Sequence, residues 1–263
     1  MFLSIVIFLY ITSVWSQEPR VGKAQANPSG PKDGWSTGLF TLYRSQPYKG
    51  LKSQLRAFPY IGYRNGGFFV RGPFVGYEHK LNTYFSLSTS LMPNLFSGPF
   101  DPEESSKLDG IEERDGTIEG SIGLRVRVKF ISINLVHRRD LIGVYNGSNT
   151  SLALGSGFPI SVLFKSLPFT MLRASIGKRF IDANENFYQY GIYRDEVRTD
   201  REYFNPGESI NDFYSIFFLM KLSDNWNINL NYVKEFLHKD LQASPIVNEG
   251  YIERAFGGLI YSF

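Results

Sequence analysis

From about residue 36 to the C-terminus the chain alternates apolar and polar residues with a period of two. The segment WNINLNYV, residues 226–233, puts Trp226, Ile228, Leu230 and Tyr232 in one phase and Asn227, Asn229 and Asn231 in the other. Successive strand side chains point to opposite faces, so this strand has one apolar face and one amide face. Residues 122–130, IGLRVRVKF, repeat the pattern with Leu124, Val126, Val128 and Phe130 opposite Arg125, Arg127 and Lys129. The phase then inverts, because Ile131, Ile133 and Leu135 become the apolar set against Ser132 and Asn134. A slip of one residue turns every side chain over, so a tight turn or bulge is expected near residues 129–131.

The same reading divides the chain into candidate strands at 36–45, 54–64, 68–80, 84–92, 122–130, 131–135, 149–164, 169–181, 187–194, 210–222, 226–237 and 253–263. Residues 149–164 also read as two short strands around Gly155–Gly157. No helical periodicity of useful length and no internal repeat interrupts them. Short connections, such as Leu81–Thr83 and Ser223–Asn225, alternate with long polar ones at 93–117 and 195–209.

A soluble sandwich would bury the apolar faces and wet the asparagines. A membrane barrel does the reverse, with apolar side chains toward lipid and polar ones toward the lumen. The asymmetry between short and long connections is that of outer-membrane barrels. The chain ends in AFGGLIYSF, with Ala255, Gly257, Leu259, Tyr261 and Phe263 in one phase. Soluble domains more often end in a frayed polar tail, whereas Tyr261 and Phe263 look like the C-terminal assembly signal of a bacterial outer-membrane barrel. The expected fold is all-β: a closed antiparallel transmembrane β-barrel of about 12 strands, within a range of 10 to 14. Closure follows because lipid offers no partner to a free sheet edge.

The N-terminus and the composition narrow the setting. MFLSIVIFLYITSVWSQ reads as a secretory signal peptide over residues 1–16, with Val14 and Ser16 at the −3 and −1 positions. Residues 17–35, rich in Pro, Gly and polar residues, read as a flexible periplasmic leader before a barrel over 36–263. The 263 residues include no cysteine, which removes disulfides, thiolate metal sites and cysteine nucleophiles together. A net charge of +3 implies no strongly charged partner, and nothing marks a nucleic-acid site or a cofactor. Aromatic residues make up 16%, a content that suits strands and interfacial girdles.

The C-terminal region resembles the MipA/OmpV family. The carrying residues are Ser244, Pro245, Ile246 and Val247, followed by FGGLIYSF at 256–263. PYIGYR at 59–64, GFFVRG at 67–72 and the aromatic stretch 186–192 are similar to the family's earlier regions. The resemblance implies an outer-membrane scaffold that tethers a peptidoglycan synthase and a lytic transglycosylase, after insertion into the bilayer by the barrel-assembly machinery. On that resemblance Ser244, Pro245, Ile246 and Val247 are expected to form a partner-docking loop.

Arg125, Arg127, Lys129, Asn227, Asn229 and Asn231 are the expected lumen-lining residues. Cations on one face would suit a channel for small polar or anionic solutes, the alternative reading. Enzymatic chemistry has thin support. His137 with Asp140 could serve a nearby Ser132 or Ser161, but His79, His137 and His238 all read as solvated strand-end residues. No catalytic, cofactor or metal-ligating set is assigned, and the acidic stretch 93–117 lacks calcium-loop spacing.

Overall fold

A computed structural model describes residues 33–94, 100–164 and 166–263. The signal peptide expected at 1–16, and the leader as far as residue 32, lie outside the described residues. Twelve antiparallel strands close into one barrel in simple up-and-down order. They are β1 (Gly34–Arg44), β2 (Gln54–Asn65), β3 (Phe68–Arg71), β4 (Phe74–Lys80), β5 (Phe85–Pro93), β6 (Ile118–Val128), β7 (Ile131–Asp140), β8 (Ser148–Pro159), β9 (Thr170–Ile181), β10 (Ser209–Lys221), β11 (Trp226–Phe236) and β12 (Tyr251–Ser262). Closure is made by β12 pairing with β1, from Ser36↔Ser262 to Arg44↔Arg254. No strand edge is left at the seam, as lipid requires.

The expected count of twelve is reached through two offsetting errors. Residues 68–80 form two strands, because Gly72 at φ +57° turns the chain back before Pro73. Residues 187–194 form no strand, because Ala183–Tyr190 is a helix, α1. The Asp182 carboxylate caps it by accepting from Glu185 N–H at 2.9 Å. Residues 149–164 contribute one strand, β8, rather than two. The phase inversion is a two-residue turn at Lys129–Phe130, with Lys129 at φ +53°.

Register sorts the side chains cleanly. Asn227, Asn229 and Asn231 share the inner phase with Lys221, Leu219 and Phe217 across the β10–β11 ladder. Outward lie Leu39, Leu55, Ile61, Ile122, Ile133, Leu135, Leu152, Leu154, Ile176, Ile216 and Leu230, all exposed. In water such a continuous apolar surface would be an aggregation hazard; around a closed barrel it is a lipid-facing belt. Inward glycines let aromatic rings lie flat against the wall: a Cβ on Gly177 would meet the Phe213 ring at 2.5 Å, and one on Gly258 the Phe40 ring at 2.6 Å.

The two rims differ. One carries the connections 66–67, 81–84, 129–130, 160–169 and 222–225, together with the C-terminal residue, whose N–H donates to Trp35 O at 3.1 Å. The other side carries 45–53, 94–117, 141–147, 182–208 and 237–250, and the two-residue β3–β4 turn at 72–73 points the same way. Short turns define the periplasmic side in this class of barrel, so the longer loops are outermost.

Candidate functional site

The buried apolar cluster of this protein is not inside the strand belt. It consists of Tyr48, Phe100, Leu108, Ile111, Tyr190, Ile192, Leu237, Leu241, Ile246, Val247 and Ile252, and all but Ile252 belong to long-loop connections. Those loops fold over the outer mouth as a lid. Tyr48 stacks with Phe100 at a centroid distance of 4.0 Å. Burial pushes the Tyr48 phenol up to about 12. Arg114, fully buried, donates from Nη2 to both Glu196 carboxylate oxygens at 2.7 and 2.9 Å, and its guanidinium lies 4.3 Å from the Tyr193 ring centre. That pair clamps the 94–117 and 182–208 connections together. At the lid's edge Arg198 holds Asp109 at 2.7 Å and draws its carboxyl below the usual range.

The expected docking loop is part of this lid. Ser244 Oγ donates to Tyr190 O at 2.6 Å, and Ser244, Ile246 and Val247 are 3%, 1% and 6% exposed. Their side chains serve packing, and they sit at the rim opposite the short turns. The small four-residue helix at Lys239–Gln242, α2, buries Leu241 and holds the segment inward.

Beneath the lid lies a buried ionic layer. Arg179 donates to Glu185 at 2.8 Å and to Glu235 at 3.3 Å, and Arg254 also donates to Glu235. Asn211 and Asn149 complete these carboxylates at 2.8 Å each. Tyr145 Oη donates to Glu119 at 2.8 Å. Arg138 lies within electrostatic reach of Glu119 and Glu185. Buried charges persist when they are paired and hydrogen-bonded, and Arg179, Arg254, Glu185 and Glu235 are each held in an ion pair beneath the lid.

The periplasmic half of the lumen has the opposite character. Arg64, Arg71, Arg125, Arg127 and Arg173 all point inward there, by the ladders β2–β3, β5–β6 and β8–β9. Arg125 donates to Asn134 Oδ1 at 2.8 Å and lies 3.8 Å from Glu78. Arg173 lies within electrostatic reach of both Arg125 and Arg127. Lys129 occupies the turn at the rim, not the strand wall. Asn227, Asn229 and Asn231 lie on the inner face of β11. Tyr261 faces outward, in T-shaped contact with Trp226 at 5.1 Å and with Phe263 at 5.1 Å.

The structure does not bring His137 and Asp140 together. His137 faces outward and bonds Thr150 at 2.9 Å, whereas the Asp140 carboxylate faces inward and accepts from the backbone of Tyr145 and Asn146 at 2.7 and 2.9 Å. Sequence reading overlooked Arg173, Arg179, Arg254, Glu185 and Glu235. Arg173 and Arg179 were within reach, because both share the inner phase of residues 170–181 with Ser175 and Gly177. Pairing across distant strands has no local signal.

Residues 37–263 match the family described as MltA-interacting protein MipA. The outer membrane protein YiaT of Escherichia coli, strains O157:H7 and K12, is 25% identical over 165 residues. The alignment takes in 62% of this chain and 63% of YiaT, so the chain spans less than two thirds of the length of these relatives. Among solved structures, LpxR from Salmonella typhimurium aligns over 86% of this chain and 100% of its own, at 10% identity and a TM-score of 0.40. OprD from Pseudomonas aeruginosa aligns over 88% and 66%, at 12% identity and a TM-score of 0.34. At these scores the two structures add nothing to the architecture already described. The lipid-facing belt, the closed sheet and the matched family make this an outer-membrane β-barrel.

Proposed function

The chain belongs to the MltA-interacting protein MipA family, and from that premise we propose that it is a non-enzymatic scaffold for peptidoglycan-synthesising and peptidoglycan-cleaving enzymes. A rigid barrel fixed in the membrane raises the local concentration of two enzymes held at its periplasmic rim. The observation that carries this reading is the shape of that rim. Four of its five connections are two to four residues long, but the β8–β9 connection runs from 160 to 169 and exposes Val162, Leu163 and Phe164 at 51%, 65% and 58%. An apolar projection on an otherwise trimmed rim is a natural anchor, since binding energy concentrates in a few large side chains.

The lid supports the same reading from the other side. A paired, buried ionic layer under a packed loop cluster does not serve a solute path. The test is capture by the immobilised, refolded barrel. A lytic transglycosylase and a peptidoglycan synthase, supplied as purified proteins, are retained by the wild type and lost with Val162→Asp and Phe164→Asp. Absence of retention by the wild type, or retention unchanged in both variants, overturns the proposal.

A further inference from the structure

The lumen's arginines fall into two groups with different company, and that difference points to a ligand. At the outer end Arg179 and Arg254 share Glu235, and Arg179 also takes Glu185. At the periplasmic end Arg125 has only the longer 3.8 Å approach of Glu78, and among the described residues Arg127 and Arg173 have no carboxylate at ion-pair distance. Arg125, Arg127 and Arg173 are all exposed to the lumen's water. Like charges gathered on one concave wall repel one another, and a bound anion relieves that repulsion.

The wall between them carries small inward side chains. β6 carries Arg125 and Arg127, and β9 carries Arg173. The intervening β7 and β8 present Ser132, Gly155 and Gly157 inward. A Cβ on Gly157 would meet Arg173 Cγ at 2.8 Å, and one on Gly155 would meet Ser175 Cβ at 3.0 Å. Glycine at position 157 lets the Arg173 side chain lie against β8, and the small residues Ser132 and Gly155 are the inward positions between Arg127 and β9. Guanidinium forks match carboxylate and phosphate geometry.

We propose that the periplasmic half of the lumen is a binding pocket for a small anion bearing phosphate or carboxylate groups, held by Arg125, Arg127 and Arg173 against the Gly155–Gly157 wall of β8. Because the lid and the ionic layer close the outer mouth, the anion enters and leaves on the periplasmic side. The site is a pocket and not a conduit, and it stands independently of the scaffold role.

Calorimetric titration of the refolded barrel in zwitterionic detergent at low salt tests this, with citrate and inorganic pyrophosphate as probes. Saturable binding is expected, weakened about tenfold or more in R125Q/R127Q/R173Q and by added salt. K52Q/K107Q/K239Q removes the same charge from the opposite rim and leaves the affinity unchanged. Heat-modifiable gel mobility verifies that each variant is folded, and single Arg127→Gln and Arg173→Gln variants replace the triple one if it does not assemble. Competition by an anionic phospholipid added to the micelles assigns the anion to a lipid headgroup; its failure to compete assigns a soluble ligand. No saturable heat in the wild type, or equal weakening by the opposite-rim variant, overturns the proposal.

Discussion

Glu235→Gln is the perturbation that interrogates the ionic layer most directly. The Glu235 carboxylate accepts from Asn211 at 2.8 Å, from Arg179 at 3.3 Å and from Arg254. Its side chain and that of Arg179 are 4% and 9% exposed, so screening by water is slight. The amide keeps the shape but loses the charge, and it turns an N–H₂ group toward a guanidinium. Arg179 retains Glu185 at 2.8 Å, whereas Arg254 is left without an ion pair among the described residues. Removing one partner of a buried pair costs about 3–5 kcal/mol, because the remaining charge stays desolvated. Equilibrium urea unfolding from lipid vesicles, followed by tryptophan fluorescence, reads this as a lower midpoint at unchanged slope. Asp109→Asn is the control, since the Asp109–Arg198 pair is exposed at 72% and 45% and its loss leaves the midpoint in place. The reasoning is refuted if the Glu235→Gln curve superimposes on wild type, or if both variants shift alike.

Three further outcomes follow from the geometry. Leu230→Arg places a cation on the lipid face near the middle of β11 and lowers folding stability by about 2–4 kcal/mol, whereas Asn231→Arg faces the lumen and is tolerated; urea midpoints in vesicles measure both, and a reversed order would invert the assigned faces. Alkaline difference spectroscopy resolves phenols ionising near pH 12, because burial holds Tyr48 and Tyr188 there, and Tyr48→Phe reduces that class. The raised phenols favour the folded lid fully below the ordinary value of 10, and that contribution is lost as pH rises through about 12, so limited proteolysis of the outer loops accelerates over this window. Gly177→Val drives its Cβ into Leu152 O at 2.4 Å and the Phe213 ring at 2.5 Å, so the heat-modifiable form is lost, while the outward Ala174→Val assembles normally.

What could be read locally was read well. Alternation at Trp226–Val233 assigned both faces of β11, and the inversion after Phe130 located the turn at Lys129. Both need only the pleat and two contrasting solvents. The Gly72–Pro73 turn is also written in the chain, as a dipeptide that punctuates strands, although the aromatic residues on both sides of it continue a strand-like pattern. The aromatic run at 187–194 misled in the other direction. Its content suits a strand, but the Asp182 cap and the packing of Tyr190 and Ile192 in the lid impose a helical turn and a loop.

The lid and the arginine groups were decided by tertiary structure alone. Arg114 and Glu196 are 82 residues apart, and Arg179 and Glu235 are 56 apart. Nothing in either neighbourhood of the sequence names the other partner. Ser244–Val247 carries the family resemblance, yet its burial depends on Tyr190, 54 residues away, which reaches it only once the lid has assembled. The sequence by itself determined which side chains meet lipid and which meet the lumen, because that choice is made strand by strand by the solvent on each face. Which inward charges are paired, and which are left open to the periplasmic side, was decided only by closure, because it depends on how twelve strands set their registers around one circumference.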